Sequence, residues 1–167
     1  MYYELTEVDI RKMQEEIDYK MRYVRPKCVQ DLQDARAFGD LSENFEYKAA
    51  KQELRRVDSR LRYLRRMIAT AKVIKPESEE DRVGLFDTVD VYFEDDDETE
   101  RLRIMTTLRE DIFNGIISKE SPVGKALMGK KVGDRVLVKV SDDVSYYVQI
   151  KALEKGFDDD SLEIRSY

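Results

Sequence analysis

Two long stretches of the chain carry apolar residues at intervals of three and four, with mostly charged residues between them. The first stretch has its apolar positions at Ile10, Met13, Ile17, Met21, Val24, Cys28, Leu32 and Ala35. The second has them at Phe45, Ala49, Leu54, Val57, Leu61, Leu64, Ile68 and Ala71, with one step of five. Such spacing aligns apolar side chains along one narrow face of a helix, as in coiled coils. The pattern predicts two long helices that bury these faces.

The residues around the two stripes indicate where the helices begin and end. Thr6 precedes an acidic first turn and is predicted to cap the first helix. Pro26 lacks a backbone donor, so we expect a kink near residue 25. Only Phe38–Ser42 separates the stripes, so the helices must fold back on each other as a hairpin. Each helix would run for about 30 residues, or roughly 45 Å.

After the second stripe the apolar spacing changes to alternation, and β-branched and aromatic residues become frequent. The predicted elements are strands over Leu85–Phe93 and Arg101–Leu108, a helix that starts at Ser121-Pro122 and stops at Gly129, and a hairpin across Ser141–Asp143. The Ser-Pro start and the glycine stop are typical of helix ends. We expect a small antiparallel sheet with one helix against it, and an α+β fold for the whole chain.

These patterns divide the chain into an antiparallel helical hairpin over 1–75, a linker over 76–82, a compact domain over 83–155 and an acidic tail over 156–167. The tail is expected to be loose, as the ends of domains often are. Within the compact domain, the acidic stretch Glu94–Glu100 is either a solvated turn or a device that keeps the sheet edge from pairing with other chains.

Composition narrows the chemistry that is available. The chain has no histidine, which excludes Ser-His and Cys-His pairs and His-bearing zinc sites. Its one cysteine, Cys28, lies on the apolar stripe and is expected to pack there as a small core residue. Any metal ion would be held by oxygen, which favours a hard cation such as Mg²⁺. Because no apolar run approaches ~18 residues and no signal peptide is evident, we expect a cytoplasmic protein without a membrane partner.

Charge is distributed unevenly, although the net charge is only −6. Residues 48–72 hold nine Lys or Arg against two acids, whereas residues 76–100 hold twelve acids against one base. The basic stretch is either a solvated helix face or a surface for an anionic partner such as RNA. Tyr47, near its start, can either stack on a base or pack beside Phe45.

The connection between the helices contains two carboxylates, Asp40 and Glu43, at a place where no core is expected. An acid followed three residues later by glutamate is also the pattern of a capping box, here one that would open the second helix. The other interpretation is metal binding. Two carboxylates leave most coordination positions of Mg²⁺ to other ligands, so such a site would have to be shared with a partner.

The stretch ARAFGDLSENFEYKAAK, residues 35–51, resembles the tip signature of the GreA/GreB family of bacterial transcript cleavage factors. A second stretch, SPVGKALMGK at residues 121–130 followed by Val132-Gly133-Asp134, is similar to that family's C-terminal segment. The resemblance extends over about residues 4–155. It implies an antiparallel coiled coil, a C-terminal domain of FKBP-like fold, and binding to bacterial RNA polymerase with the coiled coil in the secondary channel. We therefore expect a GreA-like elongation factor.

The resemblance also assigns roles to single residues. Asp40 and Glu43 match the family's two tip acids, which help to hold a second Mg²⁺ shared with the polymerase while backtracked RNA is cut near its 3′ end. The polymerase would be the catalyst, and this chain an accessory factor, expected to be a monomer. Contacts with the channel or the RNA are assigned to Arg36, Asn44, Tyr47, Lys51, Arg55 and Arg56. Docking on the polymerase is assigned to Ile117, Ser121 and Pro122, with Ile116 and Ile117 expected to be exposed.

Three other functions are consistent with parts of the sequence. A regulator of the same shape would enter the secondary channel and modulate or inhibit the polymerase without stimulating cleavage. A coiled-coil adaptor would not require the tip acids. A peptidyl-prolyl isomerase would need an aromatic pocket, and adjacent aromatics on a strand point to opposite faces. The candidates for that pocket are Tyr92, Phe93, Tyr146 and Tyr147.

Overall fold

The structure, a computed structural model, describes residues 3–39 and 44–165. The chain divides into two compact units, the first built on Ile10–Lys72 and the second on Glu4–Asp9 together with Val73 onward. No helix of the described residues is both long and apolar enough to cross a membrane. Each unit has its own set of buried apolar side chains.

The first unit is a helical hairpin. Its helices are α1 (Glu7–Tyr19), α2 (Arg25–Ala37) and α3 (Phe45–Ala69), with a π-helical turn over Lys20–Val24 between α1 and α2. α2 packs against α3. The predicted pair of long helices is therefore confirmed, with the first of them interrupted.

Pro26 accounts for the interruption, because its ring removes one backbone donor and crowds the carbonyl four residues earlier. The N–H of Arg25 donates to the carbonyl of Lys20, five residues back, which is the hydrogen bond of a π-helix. The predicted break near residue 25 is confirmed in this form. Met21, which the apolar pattern assigned to the buried face, lies within this turn and is exposed.

The buried faces of the hairpin follow most of the predicted stripe. They contain Met13, Ile17, Cys28 and Ala35 on one side and Val57, Leu61, Leu64 and Met67 on α3. The start of α3 differs from the prediction, since Phe45 and Ala49 are exposed while Tyr47 and Ala50 are partly buried. With Tyr47 and Ala50 leading to Leu54, the spacing alternates between three and four, and the predicted step of five disappears.

The second unit contains a mixed sheet. A separate two-stranded sheet pairs β1 (Tyr3–Leu5) with β2 (Ala71–Val73). The main sheet is formed by β3 (Thr88–Phe93), β4 (Glu98–Met105), β5 (Ile116–Ser118), β6 (Arg135–Lys139) and β7 (Ser145–Glu154). Their order is β5-β4-β3-β7-β6, with β5 parallel to β4 and the other pairs antiparallel. The α+β class is confirmed, and the sheet predicted to be antiparallel is corrected to a mixed one.

The helix α4 (Pro122–Leu127) of this unit begins as predicted. The hydroxyl of Ser121 accepts a hydrogen bond from the N–H of Gly124 at 3.0 Å and so caps the first turn. Gly129 follows the helix with φ of +75°, a left-handed conformation that favours glycine. Leu127 is fully buried in the apolar core that the sheet contributes.

A buried ion cluster lies in the second unit. Thr6 and Asp9 form a reciprocal cap, because the Asp9 N–H donates to Thr6 Oγ1 at 3.2 Å and the Thr6 N–H donates to Asp9 Oδ2 at 3.0 Å. The predicted cap at Thr6 is confirmed. Arg109, fully buried, has its Nε 2.8 Å from Asp9 Oδ1, and its two terminal nitrogens donate to Asp158 at 2.6 Å each. Burial opposes the charge of Arg109, but its carboxylate partners raise its pKa overall.

The expectation of a loose tail is wrong for the described residues 156–165. Asp158 belongs to the cluster around Arg109, and the N–H of Arg165 donates to the carbonyl of Leu108 at 2.8 Å. Burial alone would raise the pKa of Asp158, but the hydrogen bonds from Arg109 outweigh it and hold the pKa below its usual value. The acidic tail is therefore part of the folded second unit.

Candidate functional site

The hairpin tip is bracketed by two well-defined helix ends. α2 ends at Ala37, and Gly39 then adopts φ of +114°, where a side chain would be strained. α3 begins at Phe45 after its N-cap Asn44. Both tip acids, Asp40 and Glu43, fall between these ends and lie outside the described residues.

Asn44 joins the two helix ends. Its Oδ1 accepts a hydrogen bond from the N–H of Tyr47 at 2.9 Å, which caps α3, and its Nδ2 donates to the carbonyl of Ala35 at 2.7 Å. An amide side chain carries its acceptor and its donor on separate atoms, so Asn44 can make both hydrogen bonds at once. Asn44 is therefore the N-cap of α3, and the capping-box interpretation of Asp40 and Glu43 falls on residues outside those described.

The structure brings together three of the residues assigned to the tip. The guanidinium carbon of Arg36 lies 5.6 Å from the ring centre of Tyr47, and Nζ of Lys51 lies 5.7 Å from the same ring. A hydrogen bond from Arg36 lowers the pKa of the Tyr47 hydroxyl, and the charge of Lys51 adds to this. Tyr47 therefore lies close to a cation from each of the two helices, Arg36 on α2 and Lys51 on α3.

Two exposed aromatics flank the tip. Phe38 is 78% exposed at the end of α2, and Phe45 is 81% exposed at the start of α3. Lys48 Nζ lies 5.7 Å from the ring centre of Phe45. Base stacking was one of two interpretations for Tyr47, whereas the rings of Phe38 and Phe45 have more exposed surface for a flat partner. The sequence could have indicated this, because Phe38 and Phe45 stand on either side of the connection between the two helices.

The basic run on α3 separates into structural and exposed members. Arg60 donates two hydrogen bonds to Glu16 at 2.8 and 2.9 Å and so links the helices of the hairpin. The remaining exposed bases on α3 are Lys48, Lys51, Arg55, Arg56, Arg62, Arg65 and Arg66. Arg56 lies 3.6 Å from Glu53, a partly exposed pair within the helix. The helix therefore keeps a predominantly positive outer surface.

The residues assigned to docking differ in their accessibility. Ile117 is only 8% exposed, and its neighbour Ile116 is equally buried in β5, so the expected exposure of this pair is wrong. Ser121 donates to the carbonyl of Ser118 at 2.7 Å and caps α4, so its hydroxyl is engaged locally. Pro122 is exposed. The exposed apolar pair lies just before the strand, at Ile112 and Phe113, which sequence reasoning missed.

The aromatic residues of the sheet take part in different contacts. Phe93 and Tyr146 have ring centres 6.0 Å apart. Their strand neighbours are engaged by cations instead, Tyr92 by Lys151 at 5.2 Å and Tyr147 by Arg135 at 3.6 Å from the ring centre. The alternation expected along a strand thus separates the candidates for an isomerase pocket.

Within residues 3–39 and 44–165, no three carboxylate or cysteine side chains are grouped in a way that would hold a metal ion. Carboxylate pairs such as Asp9 and Asp158 are engaged by Arg109.

Two family models together match most of the chain. The model described as "Transcription elongation factor, N-terminal" matches residues 3–73, and the one described as "Transcription elongation factor, GreA/GreB, C-term" matches residues 77–155. The chain belongs to the GreA/GreB family of transcription elongation factors. The C-terminal model ends before the tail, so the described residues 156–165 lie beyond the part shared with the family model.

Curated relatives agree with this membership. A transcription elongation factor GreA from Thermoanaerobacter pseudethanolicus is 41% identical over 151 residues, which cover 90% of this chain and 94% of that protein. GreA from Thermotoga maritima is 36% identical over 151 residues, covering 90% and 97%. GreA from Bacillus licheniformis is 41% identical over 135 residues, covering 80% and 85%.

Solved structures with a detectable likeness carry GreA-related titles. GreA factor homolog 1 (Gfh1) of Thermus thermophilus is 22% identical, with 93% of this chain and 100% of that chain covered and a TM-score of 0.43. A prokaryotic transcription elongation factor GreA/GreB from Nitrosomonas europaea is 26% identical, with 57% and 79% covered and a TM-score of 0.39. With TM-scores below 0.5, these two likenesses support no argument about function.

Proposed function

We propose that this chain is an accessory factor of bacterial RNA polymerase. Its hairpin enters the secondary channel, and its tip stimulates the polymerase to cleave backtracked RNA near the nascent 3′ end. The observation that carries the proposal is the clamp at Asn44, which fixes the ends of α2 and α3 on either side of the segment that contains Asp40 and Glu43. A segment held in this way can present both carboxylates to a partner's active site.

The dimensions of the hairpin support entry into a narrow channel. α3 has 25 residues, which corresponds to a length of about 37 Å. Its buried face is a single stripe, so two packed helices suffice and the rod stays thin. The positive outer surface around Arg55 and Arg56 is suited to contact the phosphates of RNA.

The donor set at the tip suits Mg²⁺, because the ion prefers carboxylate oxygens and a nearly octahedral arrangement. Asp40 and Glu43 would hold it together with ligands of the polymerase, since two carboxylates leave further coordination positions open. When bound, the ion supplies an activated water for attack on a phosphodiester bond. Arg36 and Lys51, fixed around Tyr47, set the positive surroundings of the tip.

The test uses a stalled, backtracked elongation complex with labelled RNA, incubated with and without the full chain. We expect faster shortening of the RNA in the presence of the chain and Mg²⁺, and none from the chain and RNA without polymerase. Cleavage by the isolated chain would refute an accessory role. Binding to the polymerase without faster cleavage would favour the alternative, a secondary-channel regulator that modulates or inhibits.

Variants at the tip test whether Asp40 and Glu43 are needed for the stimulation of cleavage. Asp40→Asn and Glu43→Gln remove charge with little change of shape, and each should reduce stimulation by about 100-fold, the size typical of losing one contact made in the transition state. Because Asn44 provides the cap, neither change should unfold α3. Glu46→Gln is the matched control, since Glu46 is an exposed acid in the first turn of α3. Equal activity in all three variants would sink the shared-metal proposal.

A further inference from the structure

Two phenylalanine rings are left open to solvent at one end of the hairpin. Phe38 is the C-cap of α2 and Phe45 is the first residue of α3, and each is exposed over most of its surface. A folded protein gains free energy by covering rings of this size, because each carries a large apolar area. Two uncovered rings at the same place therefore indicate a surface that a partner covers.

Hydrogen bonds to a single carbonyl fix the backbone that carries both rings. The N–H of Phe38 donates to the carbonyl of Ala35 at 3.4 Å, and Nδ2 of Asn44 donates to the same carbonyl at 2.7 Å. Asn44 also caps α3, and Phe45 is the next residue. The two rings thus belong to the same end of the hairpin, and little backbone freedom has to be lost when a partner binds them.

Cations lie beside this end and continue along α3. Lys48 Nζ is 5.7 Å from the ring centre of Phe45. Lys48 and Arg55 follow Phe45 by three and ten residues, which the helical period places on the same exposed side over about 15 Å of helix. Arg56 is partly offset by Glu53 at 3.6 Å. Open rings followed by cations are typical of surfaces that bind single-stranded nucleic acid, where rings stack on bases and cations contact phosphates.

We propose that Phe38 and Phe45 are stacking platforms for unpaired bases of the RNA 3′ segment. This inference rests on the function proposed above, because that function brings the hairpin tip to the single-stranded end of backtracked RNA. Stacking tolerates any sequence, since every base has a flat π face. The two rings are positioning residues, which hold the RNA beside the tip and take no part in breaking the phosphodiester bond.

The experiment measures the concentration of the full chain that gives half-maximal cleavage of a backtracked complex. Phe38→Leu combined with Phe45→Leu keeps apolar side chains but removes both flat faces. One RNA carries normal bases in its unpaired 3′ segment, and a second carries abasic sugars there and retains the phosphates. We expect the variant to need about tenfold more protein than the wild type on the normal RNA, the size typical of a lost stack, and an equal amount on the abasic RNA.

The control is Phe157→Leu, which changes an exposed phenylalanine of the second unit and should act like the wild type on both RNAs. Because Phe38 and Phe45 are exposed, their replacement should leave the thermal midpoint unchanged. A loss of equal size on both RNAs would overturn the proposal in favour of an apolar contact with the polymerase protein. Equal potency of variant and wild type on the normal RNA would overturn it outright.

A crosslinking measurement separates this inference from the function on which it rests, since it requires no cleavage. A 5-iodouracil base in the unpaired segment crosslinks on irradiation to an aromatic ring stacked on it, and we expect the adduct at Phe38 or Phe45 of the wild type. That adduct without faster cleavage would refute the proposed function and leave the stacking in place. Faster cleavage without an adduct at either ring would overturn the stacking alone, and the absence of both would overturn both proposals.

Discussion

The two units use the same kind of ion pair in different surroundings. In the hairpin, Arg60 donates two hydrogen bonds to Glu16. The side chain of Arg60 is 12% exposed and that of Glu16 is 26% exposed. In the second unit, Arg109 is enclosed between Asp9 and Asp158, with Arg109 and Asp9 entirely buried. Water can replace a lost partner in the first case and cannot in the second.

The difference shows where each unit is free to vary. Along the hairpin, apolar contacts along a stripe supply the stability, so the outward positions can carry charge for a partner. In the second unit, a charged group is enclosed by the fold itself and constrains every element that touches it. The hairpin thus leaves its outward positions free to vary, whereas the second unit encloses a charged cluster, and the following changes test that difference.

The largest effect is expected from Arg109→Met. It leaves Asp9 and Asp158 without their cation, and breaking a buried pair in this way costs about 3–5 kcal/mol. Arg60→Met, the matched change in the hairpin, should cost about 1 kcal/mol because its partner stays hydrated. Hydrogen–deuterium exchange resolves the free energy of opening in each unit. Equal losses in the two variants would remove the distinction between the pairs.

The next effect depends on pH. Asp158 has a pKa below its unfolded value, so its contribution is fully present above about pH 4 and is lost as the pH falls through the folded pKa. Asp158→Asn should therefore cost about 2 kcal/mol near pH 7, with the difference from wild type narrowing below about pH 4. Urea denaturation over that range measures it. Asp159→Asn, a more exposed change in the same tail, serves as the control, and a pH-independent gap for Asp158→Asn would contradict the assignment.

A smaller effect is expected at the clamp of the hairpin tip. Asn44→Ala removes the cap of α3 and the bond to Ala35, at a cost of about 1–2 kcal/mol. Asn44→Asp keeps the acceptor for Tyr47 but loses the donor to Ala35, so its cost should be intermediate. Faster amide exchange in the first turn of α3 would report the loss. Identical exchange in Asn44→Asp and Asn44→Ala would mean that the bond to Ala35 carries the whole effect.

The smallest effect on stability is expected on the basic face. Arg55→Ala combined with Arg56→Ala should change the free energy of unfolding by no more than about 0.5 kcal/mol, since both side chains are exposed. The same change should reduce the salt dependence of binding to the RNA-bearing polymerase by about one unit of slope per lost phosphate contact. Lys27→Ala, an exposed base on α2, is the control. An unchanged slope would show that the face is only solvated.

The helical periodicity predicted the buried stripe where both helices continue on either side of a residue, as at Ile17 or Leu61. It failed at Phe45, because apolar character alone does not reveal where the partner helix stops. α2 ends at Ala37, so Phe45, next to the cap at Asn44, has too little of that helix to pack against. Tyr47 and Ala50, less apolar in composition, occupy the covered positions instead.

Some features of the candidate site could likewise be predicted from the sequence, and others could not. The tip motif and the Ser-Pro helix start are contiguous in the chain, so sequence alone identified them. In the cluster around Arg109, that residue contacts Asp158, which lies 49 positions away, and Thr6, which lies 103 positions away. No local sequence pattern predicts contacts over such separations. The exposed Phe113 turn depends on the short parallel strand that follows it, and a three-residue strand is too brief for its alternation to be recognised.

The enclosure of Arg109 also sets an order of events while the chain is being made. Ile10–Lys72 is continuous, so the hairpin can form as soon as it has left the ribosome, as N-terminal segments generally do. Thr6 and Asp9 emerge even earlier, yet Asp158 lies 152 positions after Thr6. The cluster around Arg109 can therefore close only after Asp158 has been added, long after the hairpin has left the ribosome.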